Sequence, residues 1–282
     1  MTRTRRFIQC DVFSSVPAKG NALAVVVDGE GLTDTQMQEF AAWTNLAETT
    51  FLLPPSDSSA DYRVRIFTTT REMLFAGHPT LGSCASWLHT GGKPQTAGIV
   101  RQECGIGIVE IDLRRKVPAF IAPPTKIQPL PEHDEADIRK TLKLDAGSVK
   151  RTALLDNGPV WQAFMMDSAQ AVLAVDSSLV RWPDCSPIGL IGPHAPGHEC
   201  DYEVRMFAPS SGMSEDPITG SLNSALSHWM HSLGELQHDI IVAQGTAIDR
   251  VGRVYIQPDT SVAGQVYIGG ETNILIEGTV EL

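Results

Sequence analysis

Three polar residues stand where an otherwise apolar chain changes direction between strand and helix patterns: Glu48, His78 and Asp216. Glu48 sits in Asn45-Leu46-Ala47-Glu48-Thr49-Thr50-Phe51, where a helical pattern gives way to an apolar strand. A carboxyl set among apolar groups has its charged form disfavoured, so it holds a proton more readily. Such a group can take a proton from one carbon and return it at another. The competing reading is a glutamate that caps a nearby turn or pairs with an arginine.

His78 and Asp216 belong to two copies of one pattern: Phe75-Ala76-Gly77-His78-Pro79-Thr80-Leu81-Gly82-Ser83 and Glu215-Asp216-Pro217-Ile218-Thr219-Gly220-Ser221. In each, a polar residue precedes Pro, and Gly-Ser follows four and five residues on. Proline just inside a helix start is favourable, because the N–H it lacks would be unpaired there. A glycine-rich turn into a helix leaves N–H groups and the positive end of the helix dipole facing one spot. Two such turns facing each other across a cleft would bind one small anion between two domains. Either copy alone reads more readily as a well-made helix cap. Two copies, each with a titratable residue at the cap, favour the binding reading. Asn21, after Gly20 and before an apolar strand, is a further candidate for holding a ligand, although Gly-Asn is ordinary turn chemistry.

The elements that must position these residues also repeat. Asp61-Tyr62-Arg63-Val64-Arg65-Ile66-Phe67 matches Asp201-Tyr202-Glu203-Val204-Arg205-Met206-Phe207, and both strands run into the motifs. The strand offset is 201 − 61 = 140 residues and the motif offset 216 − 78 = 138. A repeat of half a chain indicates a duplicated domain, since solenoid periods are about 20–50 residues. The expected domains are 1–120, joined by a last strand near 272–282, and 121–271. Thr33-Asp34-Thr35-Gln36 is a capping-box pattern. It opens a helix carrying Met37, Phe40 and Ala41, with Trp43 a further candidate for its buried face, that stops near Asn45. Strands are expected over 6–13, 22–27, 49–53 and 62–67, and a hairpin over 99–113 turning near Gly105. Five prolines between Pro118 and Pro131 mark a linker. Past it lie a helix over 134–144, two strands around the turn Asn157-Gly158-Pro159, and an irregular Pro- and Gly-rich stretch, 183–197. The second motif unit and closing strands complete the chain. One long helix per half among many strands is α+β with mixed or antiparallel sheets wrapped on a helix.

An apolar fraction of 42% over 282 residues supports ordinary cores. The net charge of −11 and scattered basic residues argue against a duplex or membrane-surface partner. No apolar run is long enough to span a bilayer. The five cysteines, Cys10, Cys84, Cys104, Cys185 and Cys200, are odd in number and lack C-x-x-C spacing. They read as reduced thiols of a cytoplasmic protein. His194, His198 and Cys200 have a loose metal-ligand look. Their loop carries no second cysteine pair, so no metal is expected. His228 and His231 read as helix surface or core edge. No nucleotide-binding pattern is present, and no organic cofactor is expected.

Asn45 to Phe51, Ala76 to Gly82 and Glu215 to Ser221 together resemble the PhzF-like isomerases of phenazine biosynthesis. Asp11-Val12-Phe13, Gly20 to Val26 and Gln244-Gly245 add to the likeness, which runs in order over nearly the whole chain. The resemblance implies the diaminopimelate-epimerase-like fold, with two similar domains and the site in the cleft between them. It implies cofactor-independent proton transfer on a small carboxylate, commonly in a homodimer; the namesake substrate is 2,3-dihydro-3-hydroxyanthranilate. Glu48 matches the family's acid/base, His78, Asp216 and Ser221 its polar site residues, and Gly77, Gly220 and Ser221 its substrate-binding turns. Ala22, Thr69 and Leu74 stand where the family usually has proline. The related epimerases carry a catalytic cysteine in each motif. This chain has His78 and Asp216 there, which argues against a two-thiol racemase. An amino-acid racemase or epimerase of the same fold, and a non-catalytic metabolite-binding protein, remain the alternatives.

Overall fold

The computed structural model describes residues 2–145, 147–180, 187–208 and 213–282. Cys185 and part of the irregular stretch 183–197 lie outside the described residues. The chain divides into two compact units, Met1–Ile121 with Gly269–Leu282, and Ala122–Ile268. Both are α+β, with mixed sheets.

In the first unit the elements are β1 (Thr4–Val12), β2 (Asn21–Val26), α1 (Asp34–Thr44), β3 (Glu48–Leu53), β4 (Tyr62–Phe67), β5 (Glu72–Met73), α2 (Gly77–His89), β6 (Ile99–Cys104), β7 (Gly107–Asp112) and β8 (Ala119–Ile121). The second contains β9 (Lys126–Gln128), α3 (Glu132–Thr141), β10 (Val149–Asp156), β11 (Val160–Met166), α4 (Ala169–Leu173), β12 (Ile188–Pro193), β13 (Tyr202–Ala208), β14 (Met213–Asp216), α5 (Gly220–Ser232), β15 (Ile240–Gln244) and β16 (Gly252–Pro258). Then come β17 (Val266–Gly269) and β18 (Thr272–Glu281). The last strand pairs antiparallel with β1. The Pro118–Pro131 stretch is not a bare linker. It holds β8, paired to β7, and β9, paired to β10. Proline at the ends of such short pieces costs few ladder bonds.

In the first unit β1 pairs antiparallel with β2, β2 parallel with β3, β3 antiparallel with β4, β4 parallel with β6, and β6 antiparallel with β7. In the second, β10, β11, β12, β13, β15 and β16 repeat that sequence of pairings. Within each unit one helix is central: α2 buries nine of its residues, from Gly77 to Ser86, and α5 nine, from Gly220 to Met230. Most of their buried residues are small or apolar, and the buried polar side chains of Thr80 and Asn223 are hydrogen-bonded. Close approach depends on a glycine in each unit. A Cβ on Gly82 of α2 would lie 2.6 Å from a Leu23 methyl, and one on Gly189 of β12 would lie 2.6 Å from a Leu222 methyl.

The outer helices follow their sequence patterns. Thr33 caps α1 with both capping-box bonds to Gln36, and Asn45 ends it in the left-handed region. Met37, Phe40 and Ala41 pack on Val26, Phe51 and Phe67. Trp43 departs from the buried face. It stacks on Phe40 but stays 79% exposed, because it falls at the rim of the apolar stripe. In the second unit Ile138 and Leu142 bury against Phe164, Ile188 and Phe207, with Leu144 packed alongside.

Candidate active site

The seven site residues expected from sequence fall four in the first unit and three in the second. Asn21 opens β2, Glu48 opens β3, and Gly77 and His78 open α2. The parallel pairing of β2 with β3 sets Leu23 beside Glu48. The turn before Asn21 is held by Asp11, buried on β1, whose Oδ2 accepts the Lys19 and Gly20 N–H groups at 3.0 and 2.9 Å. Gly20 is obligatory there, since its Cβ would lie 2.3 Å from the Val12 carbonyl. Asp11 was visible in the sequence only as part of a motif; its turn-holding role needs the fold.

Glu48 Oε2 lies 3.4 Å from His78 Nε2. Burial pushes the His78 ring down to about 3, opposed by its hydrogen bond to the Ala22 main chain. The imidazole is therefore neutral at pH 7. A bond that favours its protonated form is one in which the ring donates to a carbonyl. Nε2 is the nitrogen facing Glu48, so the Ala22 bond falls to Nδ1–H. That leaves the Nε2 lone pair toward Glu48. Such a contact is attractive when Glu48 carries a proton and repulsive when it does not.

Asp216 ends β14, and Gly220 and Ser221 are the first two residues of α5. Asp216 is buried, and Oδ2 accepts the Thr219 hydroxyl. The Ser221 carbonyl accepts from Asn157 Nδ2 at 2.9 Å. β14 is anchored by a buried ion pair: Arg205 of β13 makes two bonds to the carboxylate of Glu215 and further bonds to main-chain carbonyls of Val172, Leu173 and Val175.

The two motifs correspond differently from the sequence expectation. By sequence, His78 aligns with Asp216. In the fold the helices begin at Gly77 and Gly220, an offset of 220 − 77 = 143 residues, so Ser221 holds the place of His78. Pro79 lies inside α2, whereas Pro217 precedes α5 by three residues. The expectation of proline just inside both helices is therefore wrong for the second. Neither helix start carries a side-chain cap bond, in contrast to α1. An uncapped start leaves N–H groups available to an anion.

Side chains with a metal-ligand look are engaged locally. His194 Nε2 is 3.2 Å from Glu203 Oε2, its ring stacks on His198 at 3.8 Å, and His198 Nδ1 accepts the Cys200 N–H. Among the described residues no cluster of three or more His, Cys, Asp or Glu is arranged to hold a metal ion. Cys10, Cys84, Cys104 and Cys200 are buried free thiols. Among the described residues no helix is long and apolar enough to cross a membrane.

The model of the phenazine biosynthesis-like (PhzC-PhzF) proteins matches residues 10–278. Antisense-enhancing sequence 1 of Schizosaccharomyces pombe is 32% identical over 96% of this chain and 97% of its own. The trans-2,3-dihydro-3-hydroxyanthranilate isomerase of Pseudomonas aeruginosa is 31% identical over 90% of each chain. The crystal structure of a Bacillus anthracis phenazine biosynthesis protein of the PhzF family superposes with a TM-score of 0.83. It covers 99% of both chains at 22% identity.

Proposed function

Because the chain belongs to the phenazine biosynthesis-like (PhzC-PhzF) family, an isomerase family, we propose that it moves a proton between two carbons of a small unsaturated carboxylate, with Glu48 as the acid/base. The observation that carries this reading is the Glu48–His78 contact at the buried start of α2. Glu48 takes a proton from carbon next to an unsaturated system. The Nε2 lone pair of neutral His78 then faces the protonated carboxyl and steadies it. Glu48 returns the proton at a second carbon, both carbons lying within about 3 Å of it. Asp216 orients a hydroxyl or amine of the substrate, and Asn21 binds a second polar group. Main-chain N–H groups at Gly77, Gly220 and Ser221 hold its carboxylate, fixing which carbons Glu48 reaches. The substrate is of the 2,3-dihydro-3-hydroxyanthranilate kind. The enzyme works as a cytoplasmic homodimer without an organic cofactor. Neither helix start presents a cysteine, so two-thiol racemisation is not the mechanism proposed.

The test is exchange of carbon-bound hydrogen with D2O in a panel of small cyclic carboxylates that includes trans-2,3-dihydro-3-hydroxyanthranilate. Glu48→Gln keeps shape but cannot titrate, and should lose about 100- to 10,000-fold in turnover while calorimetric affinity for the same compound survives. Ser221→Ala should weaken binding more than chemistry. Wild-type turnover by Glu48→Gln would make Glu48 a structural residue and end this mechanism.

A further inference from the structure

We propose that Gln244 and Thr219 are positioning residues that form a one-way hydrogen-bond relay onto Asp216; its functional meaning rests on Asp216 belonging to the site proposed above. The relay lies wholly within the second unit. Gln244 ends β15 and is fully buried. Its Oε1 accepts the Thr219 main-chain N–H at 3.1 Å and Asn223 Nδ2 at 2.8 Å. Its Nε2 donates to the Asp216 carbonyl at 3.3 Å and to Thr219 Oγ1 at 3.0 Å. A main-chain carbonyl only accepts and a main-chain N–H only donates, so the amide has one permissible orientation. The next residue, Gly245, has a φ of +88°, and a Cβ there would lie 2.7 Å from the Pro217 carbonyl. The glycine lets the end of β15 press against the 216–219 turn, which brings Gln244 within reach of it.

The fixed amide sets the direction of the threonine hydroxyl. Thr219 Oγ1 already receives an N–H from Gln244, so its single O–H points onward to Asp216 Oδ2. Thr219 is the residue preceding α5, where threonine ordinarily accepts an N–H from the helix's first turn. It makes no such bond here. The hydroxyl is diverted from the helix to the carboxylate. A donated hydrogen bond favours the ionised carboxyl and fixes one of its oxygens. Gln244 thus acts through Thr219, and neither needs to touch substrate.

The test reads Asp216 directly. The full chain is labelled with carboxyl-13C aspartate, the Asp216 resonance is assigned by its loss in Asp216→Asn, and it is followed against pH. Thr219→Val keeps the shape and removes the hydroxyl. Gln244→Leu removes the Nε2 donor without adding a charge and frees the Thr219 hydroxyl to turn away from Asp216. Neither change touches the neighbouring Arg205–Glu215 pair. Thr219→Val should titrate Asp216 at higher pH than the wild type, Gln244→Leu should shift it in the same direction by less, and Thr219→Ser should keep the wild-type curve. A wild-type curve in Thr219→Val would overturn the relay. The reading on which it rests fails separately: undiminished exchange by Asp216→Asn, on a panel compound the wild type processes, would remove Asp216 from the site and the relay's function with it.

Discussion

The two units share a skeleton and differ in what they do with it. Through the strands the correspondence is 140 residues: β3 to β12 is 188 − 48, and β4 to β13 is 202 − 62. At the central helix it becomes 143. On that correspondence Ile188 stands where the first unit has Glu48, and Ser221 where it has His78. The proposed proton-transfer pair therefore exists in one unit only. An Arg–Glu pair recurs in both. Arg65 of β4 binds Glu72 of β5 and lies over Phe67, and Arg205 of β13 binds Glu215 of β14 and lies over Phe207. The side chains of the first pair are 17% and 40% exposed, those of the second 2% each. The same contact was kept while one copy was sealed, its arginine against the main-chain carbonyls of Val172, Leu173 and Val175 and its glutamate next to Asp216.

That contrast yields the largest stability effect. Removing one partner of a buried pair strands the other charge, at a cost of about 3–5 kcal/mol. An exposed pair is worth about 0–1 kcal/mol. Arg205→Met should therefore destabilise by roughly 3–5 kcal/mol in urea unfolding, and Arg65→Met by less, because its partners Glu72 and Asp34 keep their access to water when the guanidinium is removed. Equal losses would show that burial is not what separates the two copies.

Among the His–carboxylate contacts, the less exposed one in each unit, Glu48–His78 and His194–Glu203, responds to pH in the opposite direction to the other. Burial lowers His78 to about 3, so the folded chain resists its protonation, and stability falls as pH drops from about 6.5 toward 3. Burial raises Glu203 to about 7, with its Thr246 hydrogen bond opposing. The folded state then holds this proton more tightly than the unfolded one. That contribution is full below the ordinary carboxylate range and is lost as pH rises from about 4.5 to 7. The neutral isostere Glu203→Gln should be more stable than the wild type at pH 8, by about 1–3 kcal/mol, and the gap should close toward pH 5. The partner His194, itself lowered mainly by burial, narrows the window from below. A gap that widens toward pH 5 would reverse the sign assigned to Glu203.

Much of this was legible in the chain. The capping box at Thr33, the stop at Asn45, the doubled strand and the two helices announce themselves because they rest on local periodicity and turn chemistry. The register between the motifs did not. His78-Pro79 and Asp216-Pro217 look alike as dipeptides, yet the first lies within a helix and the second ahead of one, and only the fold restores the pairing of His78 with Ser221. Burial of Arg205 and Glu215 was equally hidden, since the sequence around Arg65 reads almost the same. The Gln244 contacts span 21 to 28 residues, beyond the reach of any local pattern. Of the proposed site, residue identities were readable. The contact between Glu48 and His78, which neutral imidazole makes useful, was not.

The smallest expected effect compares two threonines in the same position of different helices. Thr33 precedes α1 and spends its side chain on that helix, accepting the Gln36 N–H at 3.2 Å. Thr219 precedes α5 and spends its hydroxyl on Asp216. Loss of an N-cap threonine typically costs about 0.5–2 kcal/mol. Thr33→Ala should fall within that range in urea unfolding, with exchange activity unchanged, because α1 packs on the outer face and carries no site residue. Thr219→Val removes no cap bond, so the relay predicts that its main consequence appears in the behaviour of Asp216. If instead Thr33→Ala alters exchange activity, or Thr219→Val changes only the stability of α5, the division between a threonine that holds its helix and one that serves a carboxylate is wrong.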